Sequence, residues 1–180
     1  MRAFIGLGGN MPATEAALRA AAQELRAIGD LRGASGLYRT SPRDLLDQPD
    51  FVNAVVELET DLEPADLLLA LKRLELELGR DPQGLRFGPR LIDLDILVAD
   101  GRCVDDPELD LVVPHARLAE RRFALEPLAE LDPGLRPWRE CDDLRAELTV
   151  ADLLPAVAEQ EVTWQAGPEW ADTEEVSGSV

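Results

Sequence analysis

The sequence is very poor in histidine and cysteine. His115 is its only histidine, which excludes a metal site made of several imidazoles and most hydrolytic triads, since these need an imidazole base. Cys103 and Cys141 are its only cysteines, and they do not show a metal-binding spacing. We therefore expect two reduced thiols in a cytosolic protein.

Long apolar runs and basic residues are also scarce. No stretch of about eighteen apolar residues occurs, which excludes a membrane-spanning helix. The first ten residues lack the apolar region of a secretion signal, which predicts a cytoplasmic location. Lys and Arg number 18 against 36 Asp and Glu, a net charge of −18. Such an acidic surface repels nucleic acids and anionic lipids, so neither is an expected partner.

The chain of 180 residues is long enough for one domain with its own core. We place that domain at residues 1–160. Acidic residues dominate the C-terminal end, and from Gln165 glycine, proline and serine join them. This composition predicts an acidic, poorly ordered tail over residues 161–180. Both a monomer and a homodimer remain open.

Hydrophobic patterns predict strands and helices in a mixed order. Period-two alternation indicates a strand at 51–60, and helical periodicity from Pro64 to Gly79 indicates the clearest helix. Further strands are expected at 2–7, 33–40 and 91–98, with a first helix after Pro12. This order predicts an α+β protein of the ferredoxin-like sandwich type, with a mostly antiparallel sheet and helices on one face. The other face is then available for a ligand.

Two aspartates, Asp93 and Asp95, carry the sharpest chemical signal. Residues i and i+2 of a strand point to the same side, so the two carboxylates are expected to project together. Adjacent carboxylates repel each other unless a cation lies between them, and Mg²⁺ is commonly held by one or two carboxylates plus substrate phosphates. The alternative is a pair of acids on a solvated strand face, paired with arginines.

The segment before these aspartates is basic within an acidic protein. Arg80, Arg86 and Arg90 surround one acid, Asp81. Arginines beside a carboxylate pair favour a phosphate-binding site, although simple charge balance is the alternative. Together with the aspartates, they indicate a Mg²⁺-nucleotide site.

Aromatic and amide side chains indicate a second ligand. Phe51, Asn53 and Phe123 could enclose a flat heterocycle by stacking and by hydrogen bonds to its edge, although phenylalanines are more often core residues. His115 is followed by several arginines, including Arg121, which allows a second phosphate-facing patch. A lone histidine is more often structural.

The motifs together resemble the 6-hydroxymethyl-7,8-dihydropterin pyrophosphokinase family. The resemblance covers roughly residues 1–135, in the order and spacing of that family. Its most specific string is Gly-Pro-Arg-x-x-Asp-x-Asp at 88–95. The other matching segments are 5–10, 38–40, 48–54, 79–80, 86–87 and 113–115, with Arg121 and Phe123 beyond them.

The resemblance implies a reaction and a set of residue roles. The family transfers the diphosphate of ATP, its co-substrate, to the hydroxymethyl group of the pterin by in-line attack at the β-phosphorus, and releases AMP. Two Mg²⁺ ions are expected on Asp93 and Asp95. Implied catalytic residues are Arg80, Arg86, Arg90, Asp93 and Asp95; implied ATP-binding residues are Lys72, Glu75, Arg80, Arg90, His115 and Arg121; implied pterin-binding residues are Thr40, Ser41, Leu45, Phe51, Asn53 and Phe123.

The sequence departs from the family pattern at a few positions. Pro82 stands where the family often has a second loop arginine, and Phe87 stands where tryptophan is common. Lys72 stands where glutamine often contacts ATP. Two alternatives use the same residues: a Mg²⁺-dependent phosphohydrolase, for which no separate general base is evident, and a non-catalytic nucleotide- or pterin-binding module, which Pro82 favours.

Overall fold

A six-stranded sheet forms the centre of the computed structural model, which describes residues 1–42, 45–85 and 88–172. Its strand order is β5-β1-β4-β3-β8, and β2 also pairs with β4. Every described pairing is antiparallel, which confirms the expected α+β class with a mostly antiparallel sheet. The strands are β1 (Arg2–Gly9), β2 (Asp30–Ala34), β3 (Leu37–Thr40), β4 (Phe51–Glu59), β5 (Asp93–Ala99), β6 (Val104–Asp106), β7 (Leu111–Val113) and β8 (Val162–Ala166).

The described residues form four α-helices beside the sheet, and β6 and β7 form a separate hairpin. No helix in the described ranges is both long and apolar enough to cross a membrane. The helices are α1 (Thr14–Leu25), α2 (Pro64–Glu77), α3 (Arg122–Leu131) and α4 (Val150–Leu153).

Helices α1 and α2 cover the first face of the sheet. The alternating residues Ala3, Ile5 and Leu7 of β1 share one core with apolar residues of both helices, because period two on a strand and period 3.6 on a helix each bring apolar side chains to one side. Pro64 begins α2, where its missing N–H leaves no helical bond unmade.

The second face is partly covered as well, so the prediction of helices on one face is wrong. Phe4, Val55 and Leu97 point away from the first core and pack with Leu125 and Leu128 of α3. An apolar patch of this size on a sheet must be buried, and α3 carries the complementary apolar stripe. The uncovered end of the same face holds a pocket.

The structured domain extends beyond the boundary expected at residue 160. Strand β8 pairs with β3, and a 3₁₀ turn at Pro168–Ala171 brings Trp170 into the first core. The indole N–H of Trp170 donates to the carbonyl oxygen of Ser35 at 2.7 Å. The prediction of a poorly ordered tail is therefore wrong for residues 161–172. The average composition of this segment is acidic, but Trp170 alone buries a large apolar side chain. Residues 173–180 lie outside the described ranges.

The expectation of two reduced thiols is also wrong for this structure. Cys103 and Cys141 form a disulfide, with their Cα atoms 5.6 Å apart. The two cysteines lie 38 positions apart in sequence, a spacing that gave no sign of this contact. It arises because the segment after α3 folds back to the start of β6. The closed loop contains His115, Arg121 and Phe123.

Replacing Trp170 with alanine is expected to destabilise the protein by about 3–5 kcal/mol, the usual cost of truncating a buried tryptophan. Trp170 is 6% exposed, so its removal leaves a cavity against the first core. Trp164→Ala is the matched control: this ring on β8 is 59% exposed, and its loss should change the free energy of unfolding by about 0.5 kcal/mol or less. Urea unfolding of both variants measures the difference, and equal small effects would show that residues 161–172 add little to the fold.

Candidate active site

Asp93 and Asp95 stand at the start of β5 and line the pocket on the second face of the sheet. Their shared side confirms the alternation expected for a strand. The neighbouring residues of β1 are Gly8, opposite Asp93, and Gly6, opposite Asp95. Because neither glycine has a side chain, the floor of the pocket beside the carboxylates stays open.

Two arginines already neutralise Asp93. The Arg80 guanidinium Nη1 lies 2.6 Å from Asp93 Oδ1, and the Arg90 Nη1 lies 3.1 Å from Asp93 Oδ2. Burial works against the charged form of Arg80, but Asp93 and Glu75 outweigh it and raise the pKa of this guanidinium. Asp95 is the more open of the two acids, with 38% of its side chain exposed.

Arg90 is held in place from its backbone. Its N–H donates to Asn10 Oδ1, and its carbonyl accepts the Asn10 N–H, both at 2.9 Å. The guanidinium lies over the Phe51 ring, 5.3 Å from the ring centre. Its Nε is buried and has no hydrogen-bond partner among the described residues. Arg90 therefore joins the carboxylates to the aromatic part of the pocket.

Lys72 and Glu75 approach β5 from helix α2. The Lys72 Nζ lies 3.0 Å from Glu75 Oε1 and 4.0 Å from Asp95 Oδ1. Glu75 is only 2% exposed, and the Arg80 Nη1 lies 2.5 Å from its Oε1. Burial raises the pKa of the Glu75 carboxyl, while Lys72, the Leu94 N–H and Arg80 oppose the rise.

The aromatic side of the pocket carries a buried amide. Phe51, Phe123 and Asn53 all line the pocket, and Asn53 lies on β4 opposite Gly8 of β1. The Asn53 Nδ2 donates to Thr40 Oγ1 at 2.9 Å, so β3 sets the orientation of this amide. A Cβ on Gly8 would lie 3.0 Å from Asn53 Oδ1, which explains why glycine suits that position.

His115 lies behind the arginines at the other wall. Its Nδ1 accepts the Arg117 N–H at 3.1 Å, and Arg121 Nη1 lies 3.3 Å from its Nε2. Burial lowers the pKa of this imidazole; Arg121 and Arg117 lower it further, against the opposing charge of Asp95. The Arg121 guanidinium also lies 5.6 Å from the centre of the Phe123 ring.

Most of the predicted site residues line two adjoining cavities that share Arg90. Leu45 and His115 are not among the lining residues described; the Leu45 carbonyl accepts a bond from Gln48, and His115 contacts Arg121, which lines the pocket. Arg86 and Phe87 lie outside the described residues. The pocket contains Thr40, Ser41, Phe51, Asn53, Arg90, Asp93, Asp95, Arg121 and Phe123; the second cavity contains Lys72, Glu75, Arg80 and Arg90.

Sequence reasoning missed several residues that shape the pocket. Gly6 and Gly8 form its floor, and Asn10 joins Arg90 to the loop at Gln48 and Pro49 through hydrogen bonds. The glycines left a signal, since alternating glycines in a strand often mark a close approach of another group. Asn10 belongs to the matching segment 5–10, but its hydrogen-bond partners could not be predicted, because they lie 38 to 80 residues further along the chain.

The carboxylate pair fits a hard divalent cation only with help from a ligand. The described residues contain no group of three or more His, Cys, Asp or Glu side chains that could hold a metal ion. Mg²⁺, however, keeps several waters and commonly binds one or two carboxylates together with substrate phosphates. Asp93 and Asp95 match that donor set.

Paired carboxylates, arginines and an aromatic slot in one connected site are the parts of a phosphoryl-transfer enzyme. Comparison with known proteins narrows this class. Residues 4–133 match the model of the family described as 7,8-dihydro-6-hydroxymethylpterin-pyrophosphokinase (HPPK), and the chain belongs to this family. It is an ATP-dependent diphosphotransferase of folate biosynthesis.

Curated relatives agree over most of the chain. The 2-amino-4-hydroxy-6-hydroxymethyldihydropteridine pyrophosphokinase of Pseudomonas aeruginosa is 42% identical over 137 residues, covering 75% of this chain and 83% of its own length. The enzyme of the same name from Bacillus subtilis is 38% identical over 152 residues, covering 83% of this chain and 84% of its own. The resemblance stated from the motifs is thereby confirmed.

Solved structures support the fold. A crystal structure of Plasmodium falciparum HPPK-DHPS superimposes with a TM-score of 0.64 at 15% identity. It covers 86% of this chain, whereas this chain spans only 45% of that longer one.

His115 is expected to titrate below its ordinary value of 6.5, because burial and two arginines disfavour the imidazolium. As pH falls through 6.5, the unfolded chain then takes up a proton more readily than the folded one, so stability should decrease with acidification. The imidazole signals of this single histidine follow its pKa directly by NMR.

Arg121→Gln should raise that pKa, since it removes a cation next to the ring. Arg32→Gln, which removes an exposed arginine paired with Glu59, is the control and should leave the pKa of His115 unchanged. A wild-type pKa at or above 6.5 would contradict this description of the site.

Proposed function

We propose that the pocket binds 6-hydroxymethyl-7,8-dihydropterin and that the second cavity binds ATP. Asp93 and Asp95 would then hold the metal ions where the two ligands meet. One observation carries the proposal. The aspartates line the same pocket as Phe51 and Phe123, while Arg80, bonded to Asp93, lines the adjoining cavity. A flat ring and a polyphosphate would thus meet at one pair of acids.

Phe51 and Phe123 are assigned to the two faces of the pterin ring. Stacking on aromatic side chains suits a flat heterocycle, and Asn53 can read its edge through an amide whose orientation Thr40 fixes. Ser41 lines the same wall, and Leu45 lies in the loop that follows it.

Cationic side chains are assigned to ATP. Lys72, Arg80 and Arg90 surround the second cavity, and Arg121 with His115 faces the aspartates from the other wall. Guanidinium groups bind phosphate oxygens in a fixed fork, which orients as well as neutralises the polyphosphate. Glu75 belongs to this side through its bonds to Lys72 and Arg80, and Arg86 is assigned to it from the family motif.

Asp93 and Asp95 would hold two Mg²⁺ ions. When bound, these ions supply charge neutralisation and orientation of the triphosphate. The chain's own contribution is positioning. The aromatic slot holds the pterin and the arginines hold the triphosphate. The pterin hydroxyl oxygen attacks the β-phosphorus and gives its proton to solvent as the new O–P bond forms. The bond from the β-phosphorus to the bridging oxygen of AMP breaks, and AMP leaves with the bonding electrons. No covalent enzyme intermediate is needed.

The proposal also includes the type of α+β fold, the partners, the oligomeric state and the location. The first-face layer of α1, α2 and the sheet is assigned to the ferredoxin-like sandwich type. Small-molecule substrates without a nucleic-acid partner, a monomer or homodimer, and a cytoplasmic location stay predictions.

With ATP, Mg²⁺ and 6-hydroxymethyl-7,8-dihydropterin, the protein should release AMP only when the pterin is present, as chromatography of the nucleotides will show. Asp95→Asn should lower kcat at least about 100-fold, because losing a partner outside the metal ligands already costs roughly 10–100-fold. Circular dichroism should show an unchanged fold.

The omission of pterin is the control for this assay. Nucleotide cleavage without pterin would replace the proposal with a phosphohydrolase. Binding of both ligands without product would support a non-catalytic module, and normal turnover by Asp95→Asn would refute the metal assignment.

Phe123→Ala should weaken pterin binding about 10–100-fold and ATP binding much less, since stacking on one aromatic ring contributes roughly 1–3 kcal/mol per base. Isothermal titration with each ligand alone measures both affinities. Trp164→Ala is the matched control, because this ring is not among the described residues that line the pocket. Equal losses for the two ligands would argue against the stacking role.

A further inference from the structure

Strand β5, which carries both aspartates, is an edge strand of the sheet. Among the described residues it pairs with β1 on one side only. Edge strands leave a row of backbone N–H and C=O groups without strand partners, and such groups need other partners when they are buried. The peptide groups of Leu94, which lies between Asp93 and Asp95, face this open edge.

Two charged side chains of α2 take the place of the missing strand at Leu94. Glu75 Oε1 accepts the Leu94 N–H at 2.6 Å, and the Lys72 Nζ donates to the Leu94 carbonyl oxygen at 3.1 Å. Lys72 and Glu75 also bond each other at 3.0 Å. Their spacing of three puts them on one helix face, so a single turn of α2 holds both polar groups of this residue.

Glu75 is too deeply buried to act mainly as a direct ATP contact. It is 2% exposed, and its Oε1 already receives the Leu94 N–H, Lys72 and Arg80. A buried carboxylate with several good donors is typical of a group that fixes its neighbours.

Glu75 also shares Arg80 with Asp93. One guanidinium nitrogen lies 2.5 Å from Glu75 Oε1 and 2.6 Å from Asp93 Oδ1. If Asp93 gives up this bond to take a metal ligand role, Glu75 still holds Arg80 beside the site. The same carboxylate therefore constrains the strand and the arginine.

We propose that Lys72 and Glu75 are positioning residues that clamp the Leu94 peptide groups to α2, and thereby set the relative positions of Asp93 and Asp95. The inference rests on the proposed function of the aspartates. Metal ligands must be held within a fraction of an ångström, and groups that orient the ligands commonly matter almost as much as the ligands themselves.

Two substitutions at Glu75 separate the hydrogen bond from the burial. Glu75→Gln keeps an oxygen that can accept the Leu94 N–H, whereas Glu75→Leu removes the acceptor and keeps an apolar side chain. Glu63→Gln is the matched control: it makes the same chemical change just before α2, at an exposed glutamate paired with Arg102.

The first measurement is amide hydrogen exchange at Leu94 in the metal-free protein, followed by NMR. Exchange should be at least about tenfold faster in Glu75→Leu and close to wild type in Glu75→Gln and Glu63→Gln. Unchanged protection in Glu75→Leu would overturn the clamp.

The second measurement is Mn²⁺ binding in the presence of ATP, followed by electron paramagnetic resonance, with steady-state kinetics alongside. Glu75→Leu should lose about 10–100-fold in Mn²⁺ affinity and in kcat, while KM for the pterin stays within about twofold. Equal losses in all three would indicate a merely structural role and overturn the inference.

Lys72→Met covers the case in which Glu75→Leu does not fold, because Lys72 is partly exposed and methionine keeps most of its length. Leu94 exchange should again be faster, because the Glu75 carboxylate loses its Lys72 partner and the Leu94 carbonyl loses its donor. Wild-type protection of Leu94 would contradict the clamp. Wild-type AMP release with pterin tests the proposed function separately. If the wild type releases no AMP, the proposed function fails, but hydrogen exchange at Leu94 still tests whether Lys72 and Glu75 hold its peptide groups.

Discussion

The site depends on how the protein keeps two carboxylates side by side. Asp93 and Asp95 repel each other, and the fold answers with cations: Arg80 and Arg90 each take one oxygen of Asp93, and Lys72 approaches Asp95. The two readings of the Asp-x-Asp motif, a metal pair and an arginine-paired pair, are therefore compatible. The arginines that balance the acids are also the ones that we propose bind the polyphosphate.

The sheet positions these charged side chains and leaves space beside them for a ligand. Its first face is filled by α1 and α2, while α3 covers only part of the second, so the pocket opens on the remaining part. Glycines opposite the aspartates keep the floor clear. The disulfide joins the two ends of the segment that carries His115, Arg121 and Phe123.

Part of the fold and of the candidate site could be predicted from local sequence patterns. The side shared by Asp93 and Asp95 follows from strand alternation, and the family follows from motifs in order. Other features could not be predicted in this way. The packing of α3 on the second face could be predicted only by matching its apolar stripe to Phe4 and Val55. The acidic composition of the C-terminal end gave no indication of β8 or of the burial of Trp170 in the turn that follows it.

Sequence alone determined the α+β class, the reaction family and the identity of the charged and aromatic residues, because spacing of two or 3.6 residues and short motifs act over a few neighbours. Tertiary structure decided which of these residues meet. Arg80 reaches Asp93 and Glu75 together, Glu75 reaches Leu94, and Cys103 reaches Cys141 only after the sheet has formed. Apart from Arg80 and Glu75, these partners lie 13 to 38 residues apart in the chain, and the packing of whole elements brings them together.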